Sequence, residues 1–442
     1  MSTSSLPEKT ITVVGLGYVG LPLACKFAEV GFQVTGIDID KHKVKLISEG
    51  KSPIEGNEPG LAELVKTVVA NGRLKVTMDY KVIQNSDVII IAVQTPFDTQ
   101  RKEPFYHALV SATENVARHL KAGSLLVVES TVAPTTMKNI VLPILEQNSG
   151  LKAGKDFNLA GCPERVMPGK LLSNLVTIDR IIGGYTTTCG ERAKKLYKTI
   201  VKGDIDVVDS TTAELVKTVE NAYRDVQIAF ANEIALLCEH IGVDVYKVRE
   251  LVNKVPNRYM HYPGSGVGGH CIPKDSWLLI YGTRGSYQPK LLVTARDVNE
   301  HMPHHLAELV LEAFKRADKP IVGAKVAVLG LAYLPDSDDT RNSPTYPLTD
   351  TLLLRGAQVF IHDPFVKKDE AISKKAQLSQ NLEATLQNAD ALVISTLHSE
   401  YQQLSPETIK KYLNDPPIIV DGRNLFEESL DSWEIIYFGI GK

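Results

Sequence analysis

Thr10-Ile-Thr-Val-Val14, followed at once by Gly15-Leu-Gly-Tyr-Val-Gly20, decides how the first part of this chain folds. Leu21 to Val30 carries helical spacing and stops at Gly31, and Phe32-Gln-Val-Thr-Gly-Ile-Asp38 reads as a second strand ending in an acid. Strand, GxGxxG, helix, strand, acid is the context in which this glycine pattern cradles a dinucleotide. Gly15 makes the tight turn, Gly17 lets a pyrophosphate reach the backbone, and Gly20 lets the helix pack on the strand. The helix N-terminus meets the phosphate charge. Asp38 accepts hydrogen bonds from ribose hydroxyls and repels a 2′-phosphate, which favours NAD over NADP.

The α/β alternation continues outward from this unit. Asp87-Val-Ile-Ile-Ile-Ala-Val93 is the continuous apolar run of a strand buried on both faces, and it ends in Gln94-Thr95-Pro96. Leu125–Val128 runs into Glu129-Ser130-Thr131-Val132, and Asn158–Cys162 runs into Pro163-Glu164-Arg165-Val166-Met167-Pro168-Gly169. Open α/β sheets bind ligands at the carboxyl ends of their strands. Thr95, Ser130, Thr131, Glu164 and Arg165 are therefore candidates for one cleft, with a cap or turn role as the plainer alternative for each.

From Thr211 to Gly242 neither proline nor glycine interrupts the chain before Gly242 itself. Leu215, Val219, Ala222, Val226, Phe230, Ile234 and Leu237 recur at helical spacing, with Thr211 or Thr212 as the expected cap. Lys217, Asn221 and Arg224 share one stripe, which reads as the wall of a polar cleft. This long helix is expected to bridge two halves of the protein and to carry a dimer contact.

Four glycines (Gly264, Gly266, Gly268, Gly269) then crowd before Cys271, and Asp275 follows. Glycine permits close backbone approach to a ligand. The stretch reads as a loop holding substrate against a thiol nucleophile, or as a plain flexible loop with a cysteine nearby. After a helical run from Leu292 to Asn299, Lys325–Leu329 opens a second set of strands, continued at Gln358–Asp363, Ala391–Ser395 and Ile418–Asp421. Gly330-Leu-Ala-Tyr333 resembles a second nucleotide-type turn but lacks GxGxxG. The fold expected is α/β, with two Rossmann-like doubly wound domains joined by a long central helix. The boundaries are 1–205 for an NAD-binding domain, 206–315 for a helical connector and dimerisation region bearing the Cys271 loop, and 316–442 for the second domain.

Composition narrows the function classes. The chain has 442 residues, is 43% hydrophobic and 23% charged, and carries a net charge of −3. That balance gives no electrostatic reason to expect nucleic acid or a membrane surface as partner. No apolar run approaches the ~18 residues of a membrane span. The polar start, without a signal-peptide core, suggests a cytoplasmic protein. Five scattered cysteines (Cys25, Cys162, Cys189, Cys238, Cys271) without CxxC spacing argue against disulfides and a structural metal. Four of them are expected to be core residues.

Several segments carry a resemblance. GLGYVG (15–20), QTP (94–96), STV (130–132), CPERVMPG (162–169), AELVKTVENAYRD (213–225), GVGGHCIPKD (266–275) and DDTRNSP (338–344) occur in the order found in the UDP-glucose/GDP-mannose dehydrogenase family. Over nearly its whole length the chain resembles that family, and ERVMPG, VGGHC and Arg224 resemble its branch acting on UDP-N-acetylhexosamines. The resemblance implies NAD-dependent four-electron oxidation of a sugar C6 alcohol, with UDP-N-acetyl-D-mannosamine as the expected substrate and UDP-N-acetylglucosamine, UDP-N-acetylgalactosamine or UDP-glucose as alternatives. Cys271 would attack the intermediate aldehyde and carry a thioester. Lys217 would stabilise oxyanions and move protons, Asn221, Asp275 and Thr131 would position the alcohol or a water, and Glu164 would activate water for hydrolysis.

The same comparison implies Tyr18, Val19, Asp38, Lys43, Thr95, Thr131 and Arg341 for NAD. It implies Arg165, Val166, Asn221, Arg224, Arg258, Gly268 and Tyr333, with Glu164 and Lys217, for the UDP-sugar, and a homodimer or dimer-based oligomer in a polysaccharide pathway. Relatives usually carry lysine after the tyrosine where this chain has Leu334, so that a phosphate or uracil contact is either missing here or supplied by Arg423. Two other classes fit parts of the pattern. A single-step NAD-dependent dehydrogenase of the hydroxyacid type would use Lys217 and Asn221 but not Cys271. An NAD-binding regulatory protein would need none of the three.

Overall fold

In the computed structural model, residues 8–54, 58–98, 101–165, 169–283, 285–426, 430 and 433–442 are described. The chain forms two compact units, Met1–Glu220 with Trp277–Gln288, and Asn221–Ser276 with Pro289–Lys442.

The first unit is built on strands β1 (Thr10–Val14), β2 (Gln33–Ile37), β3 (Leu74–Thr77) and β4 (Val88–Ile91). After a small antiparallel hairpin, β5 (Phe97–Asp98) with β6 (Glu103–Pro104), come β7 (Leu125–Val128), β8 (Asn158–Gly161), β9 (Arg180–Gly184) and β10 (Ile205–Asp209). Six strands pair in parallel in the order β3-β2-β1-β4-β7-β8, and β9, antiparallel to β8, adds β10 at the edge. All four residues of β4 and of β7 are buried, because helices cover both faces of the sheet. Alternate residues feed separate cores. Val13, Ile90 and Val127 face one, while Val14, Ile89, Ile91, Leu126 and Val128 face the other.

The second unit repeats the plan with β11 (Lys325–Leu329), β12 (Gln358–His362), β13 (Gln377–Ser379), β14 (Ala389–Ile394), β15 (Leu413–Asp421) and β16 (Ile436–Gly439). Its order β13-β12-β11-β14-β15-β16 is the same doubly wound arrangement, all parallel. The likeness reaches single hydrogen bonds. Leu16 N donates to Asp38 at 2.8 Å, and Leu331 N donates to Asp363 at 2.7 Å. Yet no helix begins at the second turn, where a loop runs to Pro344 before the helix Thr345–Leu354. Among the described residues, the helix start that a dinucleotide cradle needs is present at the first turn and not at the second.

The long helix, Ser210–Ile241, differs from expectation in three respects. Its start is capped by Asp209, whose carboxylate accepts Thr212 N at 3.0 Å, and not by Thr211 or Thr212. Its buried stripe is Glu214, Thr218, Ala222, Asp225, Ala229 and Asn232, whereas Leu215, Val219, Tyr223, Phe230 and Leu237 are exposed. The polar members can be buried because they are paired. Glu214 accepts Thr135 N and Met137 N at 2.7 Å each, and Asp225 accepts Arg296 Nη1 at 2.8 Å. Third, of the expected polar stripe, Lys217 and Asn221 are half-buried but Arg224 is exposed. The later helix is also longer than expected, running from Lys290 to Arg316 through Pro303.

Candidate active site

The three glycines of the first turn have three different surroundings. A Cβ on Gly15, at φ +92°, would meet Ala92 O at 2.6 Å, and one on Gly20 would meet Gly15 O at 1.8 Å. A Cβ on Gly17 would meet nothing within 4 Å. The crowded pair lets the helix Gly20–Glu29 start directly against the sheet, and the open position faces free space at its N-terminus, where no side chain caps the helix. That is the geometry an anionic group needs to reach helix N–H donors. Asp38, nearly buried, is held by Leu16 N at 2.8 Å and Asp40 N at 2.9 Å, so its carboxylate is fixed at the end of β2. Tyr18 and Lys43 line a cleft of about 180 Å³ with Leu16, Gly17, Pro53 and Ile54. Val19 is the N-cap residue of the same helix. A dinucleotide fits this donor set.

Neighbouring strand ends are tied to each other. Thr95 Oγ1 donates to Thr131 O at 2.7 Å, and Ser130 Oγ donates to Val93 O at 2.6 Å, which joins the ends of β4 and β7. Beyond β8, Glu164 is buried, with Arg180 Nη2 at 2.8 Å from Oε2 and Arg165 N at 2.6 Å from Oε1. Arg165 donates to Asp179 O at 2.9 Å and pairs with Glu220. Val166 lies outside the described residues.

In the second unit the Cys271 loop is shaped by what lies against its glycines. A Cβ on Gly268 would fall 2.3 Å from Tyr333 Cβ, and one on Gly269, at φ +86°, would fall 2.8 Å from Tyr333 Cζ. Gly269 N donates to Arg341 O at 2.7 Å, and Asn342 Nδ2 donates to Gly269 O at 2.9 Å. The loop thereby delivers Cys271 immediately ahead of the helix Ile272–Gly282. Cys271 is exposed, while Cys25, Cys162, Cys189 and Cys238 are buried. Its carbonyl accepts Asp275 N at 2.8 Å. The Asp275 side chain is 1% exposed, accepts Asn221 Nδ2 at 2.5 Å, and has Lys274 Nζ at 3.7 Å. Partial desolvation, with Lys274 and Arg341 adding to it, lowers the pKa of His270, although the residue keeps an exposed edge.

Cys271, Asp275 and Asn221 are thus brought together, and so are Gly268, Tyr333 and the Arg341 backbone. The Arg341 side chain is engaged by Asp339, with Nε 2.8 Å from Oδ1. Arg224 and Arg258 are exposed, and Arg258 Nη1 donates to Asn257 O at 3.3 Å. Sequence reading missed Asp225, whose carboxylate gathers Ser276 Oγ at 2.9 Å, Arg296 Nη1 at 2.8 Å and Asn299 Nδ2 at 2.7 Å. Its position just beyond the Lys217–Asn221–Arg224 stripe was the available signal.

Comparison with known proteins agrees along the chain. Residues 9–201 match the NAD binding domain, 211–301 the central domain and 327–428 the UDP binding domain of the UDP-glucose/GDP-mannose dehydrogenase family. The chain belongs to that family. It is accordingly an NAD-dependent nucleotide-sugar oxidoreductase. A UDP-N-acetyl-D-mannosamine dehydrogenase of Pyrococcus horikoshii is 41% identical over 98% of this chain and 99% of its own. A crystal structure of the NDP-N-acetyl-D-galactosaminuronic acid dehydrogenase from Methanosarcina mazei Go1 is 40% identical, covers 100% of this chain and 97% of its own, and superposes with a TM-score of 0.90. The structure of UDP-D-ManNAc dehydrogenase from Pyrococcus horikoshii gives 0.88 at 41% identity, over 98% of this chain and 99% of its own. Among the described residues of this family member, no helix is long and apolar enough to cross a membrane.

Proposed function

We propose that the protein oxidises the C6 alcohol of UDP-N-acetyl-D-mannosamine to the carboxylate in two hydride transfers, through a thioester on Cys271. The observation that carries this reading is the treatment of the five cysteines. Four are buried, and the fifth is exposed on a glycine loop at a helix N-terminus, where backbone donors favour negative charge on sulfur. NAD, when bound, supplies the hydride acceptor for both oxidations. Tyr18, Val19, Asp38, Lys43, Thr95, Thr131 and Arg341 are its proposed contacts, besides Gly15, Gly17 and Gly20.

In the first oxidation, Asp275, held by Asn221, and Thr131 position the group or water that takes the alcohol proton as C6 loses hydride. The Cys271 thiolate adds to the resulting aldehyde, and Lys217 balances the oxyanion of the thiohemiacetal. Loss of the second hydride leaves a thioester. Glu164 then takes a proton from water as its oxygen attacks the thioester carbon, and the C–S bond breaks to return the thiolate. The balance is one alcohol, two NAD⁺ and one water to one carboxylate, two NADH and three protons.

Arg165, Val166, Arg224, Arg258, Gly268 and Tyr333 are the proposed sugar-nucleotide contacts, with residues 316–442 as the UDP-binding domain, 1–205 as the NAD-binding domain and 206–315 as the connector. The exposed Leu215, Val219, Tyr223, Phe230 and Leu237 support a homodimer formed through the long helix. A cytoplasmic role in polysaccharide synthesis completes the proposal. The similarity to the Methanosarcina enzyme favours a second reading, the same chemistry on the galactosamine isomer. Assaying NADH release with the UDP-N-acetyl derivatives of mannosamine, glucosamine and galactosamine separates the two. Mass spectrometry of quenched Glu164→Gln enzyme should show an acyl adduct on the Cys271 peptide. An unmodified peptide under turnover conditions would count against the thioester.

A further inference from the structure

Behind Glu164 lies a buried ionisable cluster that the proposed steps do not use. Glu129 follows β7, Cys162 follows β8, Arg180 opens β9, and Tyr197 ends the helix Thr187–Tyr197. The strand order β7-β8-β9 brings them together, although they are far apart in the chain. Arg180 Nη2 lies 2.8 Å from Glu164 Oε2, while its Nη1 lies 3.6 Å from Glu129 Oε2 and 3.7 Å from Cys162 Sγ. The Tyr197 hydroxyl donates to Glu129 Oε1. Side-chain exposure is 5% for Arg180, 0% for Glu129 and 7% for Glu164.

One guanidinium therefore serves two carboxylates away from water. A buried anion without its own cation is strongly disfavoured, so the cluster retains a proton. Burial and the unequal contacts of Arg180 favour Glu129 as its holder, against the opposing hydrogen bond that the Tyr197 hydroxyl donates. The short, charge-assisted contact goes to Glu164, and the longer one to Glu129, whose other oxygen faces a phenol. Burial, with Glu164 adding to it and Arg180 opposing it, pushes Glu129 up to about 8. Burial raises Tyr197 and Cys162 as well, so both are neutral when Glu129 titrates.

We propose that Arg180 and Glu129 are positioning residues for Glu164, with Arg180 aiming its carboxylate and a protonated Glu129 leaving the guanidinium to it. The inference rests on the reading of Glu164 as the base that hydrolyses the thioester. When Glu129 ionises it competes for Arg180, and Glu164 loses its anchor. Hydrolysis in the wild type should thus decline as pH rises through about 8. The first hydride transfer is assigned to other side chains, Asp275, Asn221 and Thr131.

The test is single-turnover kinetics on the intact enzyme with UDP-N-acetyl-D-mannosamine, following NADH and the acyl-enzyme separately. Arg180→Met should keep the first NADH burst, yet slow hydrolysis by ~10²-fold, as loss of a positioned base does. Arg180→Lys should restore part of that loss. Glu129→Gln, isosteric and permanently neutral, should abolish the decline near pH 8, and it provides the test if Arg180→Met does not fold. Equal slowing of both oxidations and hydrolysis, or a Glu129→Gln profile identical to wild type, would overturn the proposal. Glu164→Gln serves as the control. If it stalls as acyl-enzyme while Glu129→Gln shows no change, only the positioning proposal fails. If it turns over normally, the base assignment fails and the positioning proposal with it.

Discussion

In Gly268→Ala the new Cβ falls 2.3 Å from Tyr333 Cβ and 2.7 Å from Cγ, where ordinary contact begins at 3.4 Å. The two must separate by about 1 Å, since every closer approach is repulsive. Tyr333 has little room to yield, because its amide is bonded to Asp339 O at 3.1 Å. Gly268 cannot turn aside either, with Asn342 O at 3.1 Å from the same Cβ. The loop must give, and it carries Cys271 with it. Overpacking of this kind costs ~1–3 kcal/mol of stability. A nucleophile displaced by ~1 Å loses on the order of 10²-fold in rate. Steady-state NADH production and a thermal melt of the same preparation measure both. The double variant Gly268→Ala/Tyr333→Gly removes the clashing atoms and should regain the melting midpoint. If Gly268→Ala melts with wild type and keeps kcat within roughly twofold, the packing of Tyr333 on the loop does not set the position of Cys271.

Other consequences can be checked alongside it. Gly17→Ala meets no protein atom within 4 Å, so the fold should be kept while NAD binding weakens by ~10-fold or more, as fluorescence titration would show. Gly20→Ala, with its Cβ 1.8 Å from Gly15 O, should instead fail in thermal stability. Arg296→Met strips a cation from Asp225, a pair at 2.8 Å with side-chain exposures of 2% and 0%, and should cost ~3–5 kcal/mol in urea unfolding. Glu129 and Glu214 are raised by burial from 4.5 to about 8 and about 7, so the folded state holds protons that the unfolded state has lost. Their stabilising contribution is complete below about 4.5 and is lost as pH rises through 7 and 8, so urea midpoints should fall over that interval. Glu129→Gln should flatten the upper part of the fall, and an unchanged slope would contradict the buried-proton account.

What could be read in advance was local. Val14 to Asp38 states its strand, turn, helix and strand within one βα unit, and the crowding at Gly15 and Gly20 is what that context already implies. The same holds for Cys271, whose glycines precede it directly. What escaped depends on distant partners. The long helix buries Glu214, Asp225 and Asn232 because residues 77 to 79 positions upstream and 67 to 74 downstream complete their hydrogen bonds, which no periodicity reports. Large apolar side chains were left outside in consequence. The helical run read from Leu292 to Asn299 in fact continues through Pro303 to Arg316, with the proline ring packed toward Gly266. The cluster of Glu129, Glu164 and Arg180 exists only because β9 turns back antiparallel beside β8, and nothing in 180–184 announces that direction.

The most direct test is the number of NADH molecules formed per UDP-N-acetyl-D-mannosamine consumed, measured for wild type and for Cys271→Ala. A thioester route requires two per sugar, with the variant unable to complete turnover. One NADH per sugar from both enzymes would contradict it, leaving Cys271 without a covalent role and the protein as a single-step dehydrogenase.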